Sequence, residues 1–113
     1  MCHCFNRGVR TKDELNELLT KEGKCVVVLK FAADWCAPCH AIASPVYANV
    51  RQKPESRVIY VLANREDAGE LFDHYNVTDT PTFLLFNNSK AEWRLYKPGA
   101  REIHNVLNQM CLP

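Results

Sequence analysis

The stretch Cys25-Val26-Val27-Val28-Leu29-Lys30-Phe31-Ala32-Ala33-Asp34-Trp35-Cys36-Ala37-Pro38-Cys39-His40 decides how this chain is read. Val26 to Leu29 form an apolar, β-branched run, too short to span a bilayer and well suited to a buried strand. After Trp35 come two cysteines with two residues between them, placed where a strand feeds a helix. Such a pair can close a small disulfide ring, and in a βαβ setting it reads as a dithiol redox centre. At the start of the helix, Cys36 meets unpaired backbone N–H groups and the positive end of the helix dipole, both of which favour an anion. The thiolate that forms more easily there is the nucleophile. One turn on, Cys39 lies on the same face and within reach. Pro38 suits an early helix position because its missing N–H costs nothing there. Ala37 leaves the approach to the sulfur open. The competing reading is half of a zinc site, which needs about four N/S ligands. No second C-x-x-C exists, and the four histidines, His3, His40, His74 and His104, are scattered.

Outward from this stretch the pattern is regular. Thr11-Lys12-Asp13-Glu14 reads as a capping box, and Leu15, Leu18 and Leu19 follow at helical spacing, with Gly23 as the stop. The strand from Cys25 to Phe31 leads into a helix from about Cys36 to Gln52. Pro45 inside that helix removes one donor and predicts a kink. Lys53-Pro54-Glu55-Ser56 reads as a loop, and Val58 to Ala63 as a second buried strand. Asn64-Arg65-Glu66-Asp67 is predicted to open a helix carrying Leu71, Phe72 and Tyr75. This β-α-β-α order predicts a parallel sheet. Thr82 to Phe86 and Trp93 to Tyr96 flank Asn87-Asn88-Ser89-Lys90 as a hairpin. A last helix runs from Ala100 to Met110 with Ile103, Val106, Leu107 and Met110 on one face. Residues 1–10 read as a tail or a short leading strand, and the whole of 1–113 as one domain without repeats.

Composition narrows the function classes. With 113 residues, 47% hydrophobic and 24% charged, the chain has core enough to fold without staples. A formal net charge of +1 gives no reason to expect nucleic acid or an anionic membrane as partner. The first residues lack the apolar centre of a secretory signal, so a cytoplasmic, reducing location is expected. Six cysteines do not overturn this, because disulfide frameworks serve chains with smaller cores. Cys2-His3-Cys4 reads as an ordinary terminus, with a soft-metal or regulatory thiol cluster as the alternative. Cys25 and Cys111 read as structural, the latter open to oxidation or to a dimer bridge.

Phe31-Ala32-Ala33-Asp34-Trp35-Cys36-Ala37-Pro38-Cys39 resembles the active-site segment of the thioredoxin family. Thr80-Pro81-Thr82-Phe83 resembles that family's cis-proline segment, and Pro98-Gly99-Ala100 its late glycine loop. The three occur in the family's order at about its separations, and the resemblance runs from Thr11 to Met110. It implies the thioredoxin fold, an α/β architecture with a central mixed β-sheet flanked by helices. It implies a protein-disulfide oxidoreductase in which Cys36 attacks a substrate disulfide and Cys39 resolves the mixed disulfide. Trp35, Ala37, Pro38, Thr80, Pro81, Gly99 and Ala100 would bind substrate. Thr80-Pro81 would be cis, so that Thr80 offers its backbone as a strand does, although a plain turn before a strand fits the same residues. The resemblance further implies no bound cofactor, since the Cys36–Cys39 disulfide is itself the redox group. NADPH would enter only indirectly, through a flavin-dependent thioredoxin reductase. The implied partners are that reductase and disulfide-containing proteins, and the implied state is a monomer.

Four positions depart from the family pattern. Lys30 stands where the family usually has a buried Asp. Its ammonium either stabilises nearby thiolates, giving a more oxidising couple and an altered pH profile, or snorkels to the surface. Ala37 replaces the usual Gly, and Pro45 lies one residue further from Cys39 than the usual helix proline. His40 replaces a Lys or Arg and either tunes Cys36 by its charge or faces solvent. Two alternatives to a reductase therefore stand. One is a non-catalytic interaction or redox-sensing module, which Lys30 favours and the intact cysteine pair disfavours. The other is an oxidase or isomerase, which calls for an oxidising compartment.

Overall fold

Alternation along three apolar strands builds the molecule. The computed structural model describes residues 6–22, 25–51 and 58–110. In chain order the elements are β1 (Asn6–Gly8), α1 (Lys12–Lys21), β2 (Val26–Ala32), α2 (Ala37–Arg51), β3 (Val58–Asn64), α3 (Gly69–His74), β4 (Thr82–Asn87), β5 (Lys90–Tyr96) and α4 (Ala100–Met110). One five-stranded sheet has the order β1-β3-β2-β4-β5. The pairs β1–β3 and β2–β3 are parallel, while β4 runs antiparallel to β2 and β5 antiparallel to β4. The thioredoxin-type layout expected of a mixed sheet between helices is what forms. Residues 6–8 take the leading-strand alternative.

Every residue of β2 is buried, because helices cover both faces of the sheet. Val27, Leu29 and Phe31 pack with Leu15, Leu18 and Leu19 of α1 and Leu71 and Phe72 of α3. Val26 and Val28 pack with Val46 and Val50 of α2 and Ile103, Val106 and Leu107 of α4. Helix α2 runs unbroken through Pro45. Thr11 caps α1, its hydroxyl accepting from Glu14 N at 3.1 Å. The Glu14 carboxylate reaches back to Arg10 N at 3.1 Å, one residue earlier than the reciprocal bond of a capping box. The predicted stop at Gly23, the loop at 53–56, Cys2-His3-Cys4 and Cys111 lie outside the described residues.

Two elements differ from the sequence reading. Helix α3 begins at Gly69 rather than near Asn64, because Asn64 stays in β3 opposite Ala32. Its carbonyl then accepts from Asp67 N and Ala68 N, so residues 65–67 form a turn. Strand β5 starts three residues early, at Lys90. Its first residues, Lys90, Ala91 and Glu92, are exposed, as suits an edge strand, and carry little apolar signal. Asn88 and Ser89 both have positive φ and make the hairpin a two-residue turn. Ser89 Oγ donates to Leu19 O at 3.0 Å, tying that turn to α1.

Candidate active site

The parallel strands β2 and β3 end side by side, and their C-terminal edge is where an open α/β sheet places its ligands. From β2 the chain turns through Ala33-Asp34-Trp35 into α2, with Cys36 N–H donating to Ala33 O at 3.1 Å. Since α2 begins at Ala37, Cys36 occupies the N-cap position. Its sulfur accepts the backbone N–H of Cys39 at 3.1 Å, the bond a capping Ser or Thr oxygen makes. The sequence thus aims a helix N–H directly at the nucleophile, in addition to the field of the helix end. Pro38, second in the helix, gives up an N–H that has no helical acceptor in any case.

Cys36 and Cys39 form a disulfide with their Cα atoms 5.3 Å apart. Both are buried, together with Ala32 and Ala33. Trp35 beside them is 73% exposed, a large apolar surface left uncovered at the rim. A groove of about 540 Å³ opens here, walled by Trp35, Cys36, Ala37 and Pro38 on one side and Thr78, Asp79 and Thr80 on the other. Among the described residues no group of three or more His, Cys, Asp or Glu is placed to hold a metal ion.

The second wall is set by the end of α3. Asn76 takes positive φ, its N–H donates to Asp73 O at 3.2 Å, and Val77 N donates to Phe72 O at 2.8 Å. Those two bonds form a Schellman ending, with Asn in the left-handed position that glycine usually fills. Arg94 of β5 clamps the same corner, donating to Tyr75 O at 2.6 Å and Asn76 O at 3.1 Å. Thr82 Oγ1 then donates to Asp79 O at 2.7 Å, closing the turn around Thr80 and Pro81. The Thr80–Pro81 peptide is cis. Pro81 O accepts from Lys97 N at 2.9 Å, whereas the Thr80 backbone has no hydrogen bond among the described residues.

The remaining predicted residues divide. Pro81 is buried behind the groove, and Gly99 and Ala100 are not on its wall. Lys97 lines the groove where the glycine loop was expected. Its φ is positive, and its ammonium lies 5.6 Å from the Tyr96 ring centre. His40 is exposed on α2, with Nε2 2.9 Å from Asp34 O. Lys30 does not snorkel. It is 4% exposed, and its Nζ donates to the carbonyl of Cys39 at 2.7 Å. Burial lowers its pKa from 10.5 to about 8, because the charged form is poorly solvated.

Sequence reasoning missed Arg65, Phe72, Asp79 and Lys97, which also line the groove. Arg65 follows β3 and donates its N–H to Ala32 O at 2.8 Å, so strand pairing carries it to Cys36. Its guanidinium stacks 5.0 Å from the Phe72 ring centre. Asp79 and Lys97 each sit next to a quoted motif, and that adjacency was the only signal available for them.

The thioredoxin family model matches residues 7–110. The chain belongs to the thioredoxin family. It is 37% identical over 98 residues to a thioredoxin H-type of Oryza sativa subsp. indica, covering 85% of this chain and 79% of the relative. It is 35% identical over 80 residues to thioredoxin domain-containing protein 8 of Mus musculus, covering 71% of this chain and 61% of the relative. Against thioredoxin-T of Drosophila melanogaster it is 36% identical over 83 residues, 74% of this chain but only 52% of that protein. Among solved structures, Fasciola hepatica thioredoxin superposes with a TM-score of 0.84 at 26% identity, covering 92% of this chain and 98% of the other. Family membership and the closed Cys36–Cys39 pair together support thiol–disulfide oxidoreductase activity. Among the described residues no helix is long and apolar enough to cross a membrane.

Proposed function

We propose that this thioredoxin-family chain reduces disulfides in other proteins through the Cys36/Cys39 dithiol. The observation that carries the reading is the bond from Cys39 N–H to Cys36 Sγ at the mouth of the groove. A donor there favours thiolate on Cys36, the form that attacks. A substrate strand entering the groove meets the unbonded backbone of Thr80 on one side and the exposed Trp35 on the other. Main-chain bonding of that kind accepts many sequences, as a general reductant requires. Attack by Cys36 on the substrate disulfide gives a mixed disulfide and releases one substrate thiolate. Cys39 then attacks Cys36, the second substrate thiolate leaves, and the Cys36–Cys39 bridge is restored.

In this reading Trp35, Ala37, Pro38 and Thr80 contact substrate, Pro81 fixes Thr80, and Gly99 and Ala100 act only by shaping the Lys97 loop. The dithiol needs no bound cofactor. A thioredoxin reductase drawing on NADPH would return the electrons, and a cytoplasmic location and a monomeric state go with that role.

Two experiments test it. A redox titration in dithiothreitol buffers, following Trp35 fluorescence and thiol mass, should give a reversible two-electron couple near or modestly above thioredoxin's own, about −270 mV. The Cys39→Ser variant should accumulate mixed disulfides at Cys36 with disulfide proteins. If the titration finds no reversible couple, the reductase reading is lost and the non-catalytic module takes its place.

A further inference from the structure

The chain buries an ammonium that no carboxylate among the described residues pairs with. Lys30 shares its side of β2 with Val26 and Val28, the side that packs on α2 and α4. Leu62 of β3 and Phe83 of β4 flank it in register. Its only described partner is the carbonyl of Cys39. Among the described residues no carboxylate pairs with it. The other titratable groups on this side are Cys36 at the N-cap of α2, Cys39 and Tyr47 within α2, Tyr60 of β3 and His104 of α4. His104 is engaged by Asn49 at 2.9 Å. His40, Glu92 of β5, and Arg101 and Glu102 of α4 are exposed, and Arg94 of β5 is turned to the other face, on Tyr75 O and Asn76 O. A buried charge with a single neutral acceptor is costly. In the oxidised protein nothing described offsets that cost. Opening the disulfide changes this, because a negative charge can then form on the very residue that Lys30 holds.

We propose that Lys30 is the charge-compensating group of the dithiol couple, its ammonium balancing the thiolate charge that appears when the disulfide opens and favouring thiolate on Cys39 once Cys36 is bound to substrate. This rests on the reductase reading above and deepens it. The step balances as follows. Two electrons from an external dithiol break the Cys36–Cys39 bond, that dithiol closing to its own disulfide. The opened pair takes one proton and keeps one negative charge, which rests on Cys36 in the free dithiol. When Cys36 attacks a substrate disulfide, the departing substrate thiolate takes the Cys39 proton, and Cys39, held as thiolate by the Lys30 ammonium, attacks Cys36 and releases the second substrate thiolate. Lys30 is a positioning residue here, acting on substrate only through Cys39.

The consequence is a distinctive pH dependence. In the oxidised form the Lys30 ammonium loses its proton near pH 8. A thiolate alongside raises that value in the reduced form. Between the two values, reduction takes up one additional proton, at Lys30. The plot of reduction potential against pH therefore becomes steeper by one proton above about pH 8. That is tenfold per pH unit in the equilibrium constant, or about 30 mV for a two-electron couple. Titration of the thiols bends the same plot the other way, since they belong to the reduced form.

The test is the potential of the full chain from pH 6 to 10 in dithiothreitol buffers, corrected for the titration of dithiothreitol itself. Relative to Lys30→Met, wild type should steepen near pH 8. Lys30→Met should lose the bend and become about tenfold less oxidising at pH 7. Lys30→Gln keeps a donor for Cys39 O without the charge and should behave as Met does. A difference between the wild-type and Lys30→Met potentials that stays constant from pH 6 to 10 overturns the proposal, because thiol titration bends both plots alike. So does a Gln variant with the wild-type potential, since the hydrogen bond rather than the charge would then suffice. Failure of the reductase reading looks different: the wild type would show no reversible couple at any pH.

Discussion

The two faces of the sheet are buried alike and built differently. Toward α1 and α3, Val27, Leu29 and Phe31 of β2 meet Ile59, Val61, Leu71 and Phe72, and Phe31 stands edge-on to Phe72 at 5.0 Å. Among the described residues the buried polar side chain there is Thr82, whose hydroxyl donates to Asp79 O. Toward α2 and α4 the same strand offers Val26 and Val28 and then Lys30, with the Tyr60 hydroxyl buried on that side as well. One face therefore holds the fold by apolar burial, with its buried hydroxyl hydrogen-bonded. The other accepts polar groups that burial penalises, and those lie on the side of the dithiol. Stability and chemistry thus separate across a single layer of backbone, on neighbouring residues of β2 such as Lys30 and Phe31.

If that separation is real, a cavity on the apolar face should cost stability and leave the redox couple alone. Phe31→Ala removes a fully buried ring and should lower unfolding free energy by about 3–5 kcal/mol. Urea denaturation reads the loss, and a redox titration of the folded fraction should return the wild-type potential. A shifted potential would mean that the two faces are coupled.

The opposite behaviour is expected at Lys30. Its pKa is lowered in the folded oxidised protein from 10.5 to about 8. Below pH 8 both the folded and the unfolded chain carry the charge, and the folded one bears its full penalty. Between about pH 8 and 10.5 the unfolded chain holds a proton that the folded one has released, so stability rises with pH through that window. The whole rise is on the order of 3 kcal/mol. Lys30→Met should be more stable than wild type at pH 7, and the gap should close toward pH 10. Denaturation midpoints of both proteins at pH 7, 8, 9 and 10 check this. A constant gap would remove the buried charge as its cause.

The same division governs what could be read from sequence. The apolar runs of β2 and β3, the Leu15-Leu18-Leu19 stripe and the Ile103-Val106-Leu107 face announced themselves because periodicity reports burial. The dithiol was legible because Cys36 and Cys39 are close in sequence as well as in space. Lys30 was ambiguous, since a lysine in a strand can extend its ammonium to water or bury it, and only the packing of α2 decides. Arg65 carried no such signal, and Lys97 only its place beside Pro98-Gly99-Ala100. Strand pairing and a positive-φ loop bring them to Cys36 from distant parts of the chain. Asn64 misled for a related reason: it is a good helix opener locally, but pairing with β2 keeps it in the strand.

The finest test lies at Tyr60, on the dithiol's side of the sheet. Its hydroxyl is buried with no hydrogen-bond partner among the described residues, and burial raises its pKa. An unsatisfied buried hydroxyl costs on the order of 1–3 kcal/mol, whereas a phenyl ring of the same shape costs nothing comparable. Tyr60→Phe should therefore stabilise the protein, by about 1 kcal/mol once the lost contacts of the oxygen are counted. The redox potential should not move, since Tyr60 carries no charge at neutral pH and makes no bond to either cysteine. A gain in stability at constant potential separates the two polar groups of this face: Lys30 acts on the dithiol, and Tyr60 is merely tolerated beside it. A loss of stability would mean that the hydroxyl is satisfied in solution, and the contrast between the faces would then rest on Lys30 alone.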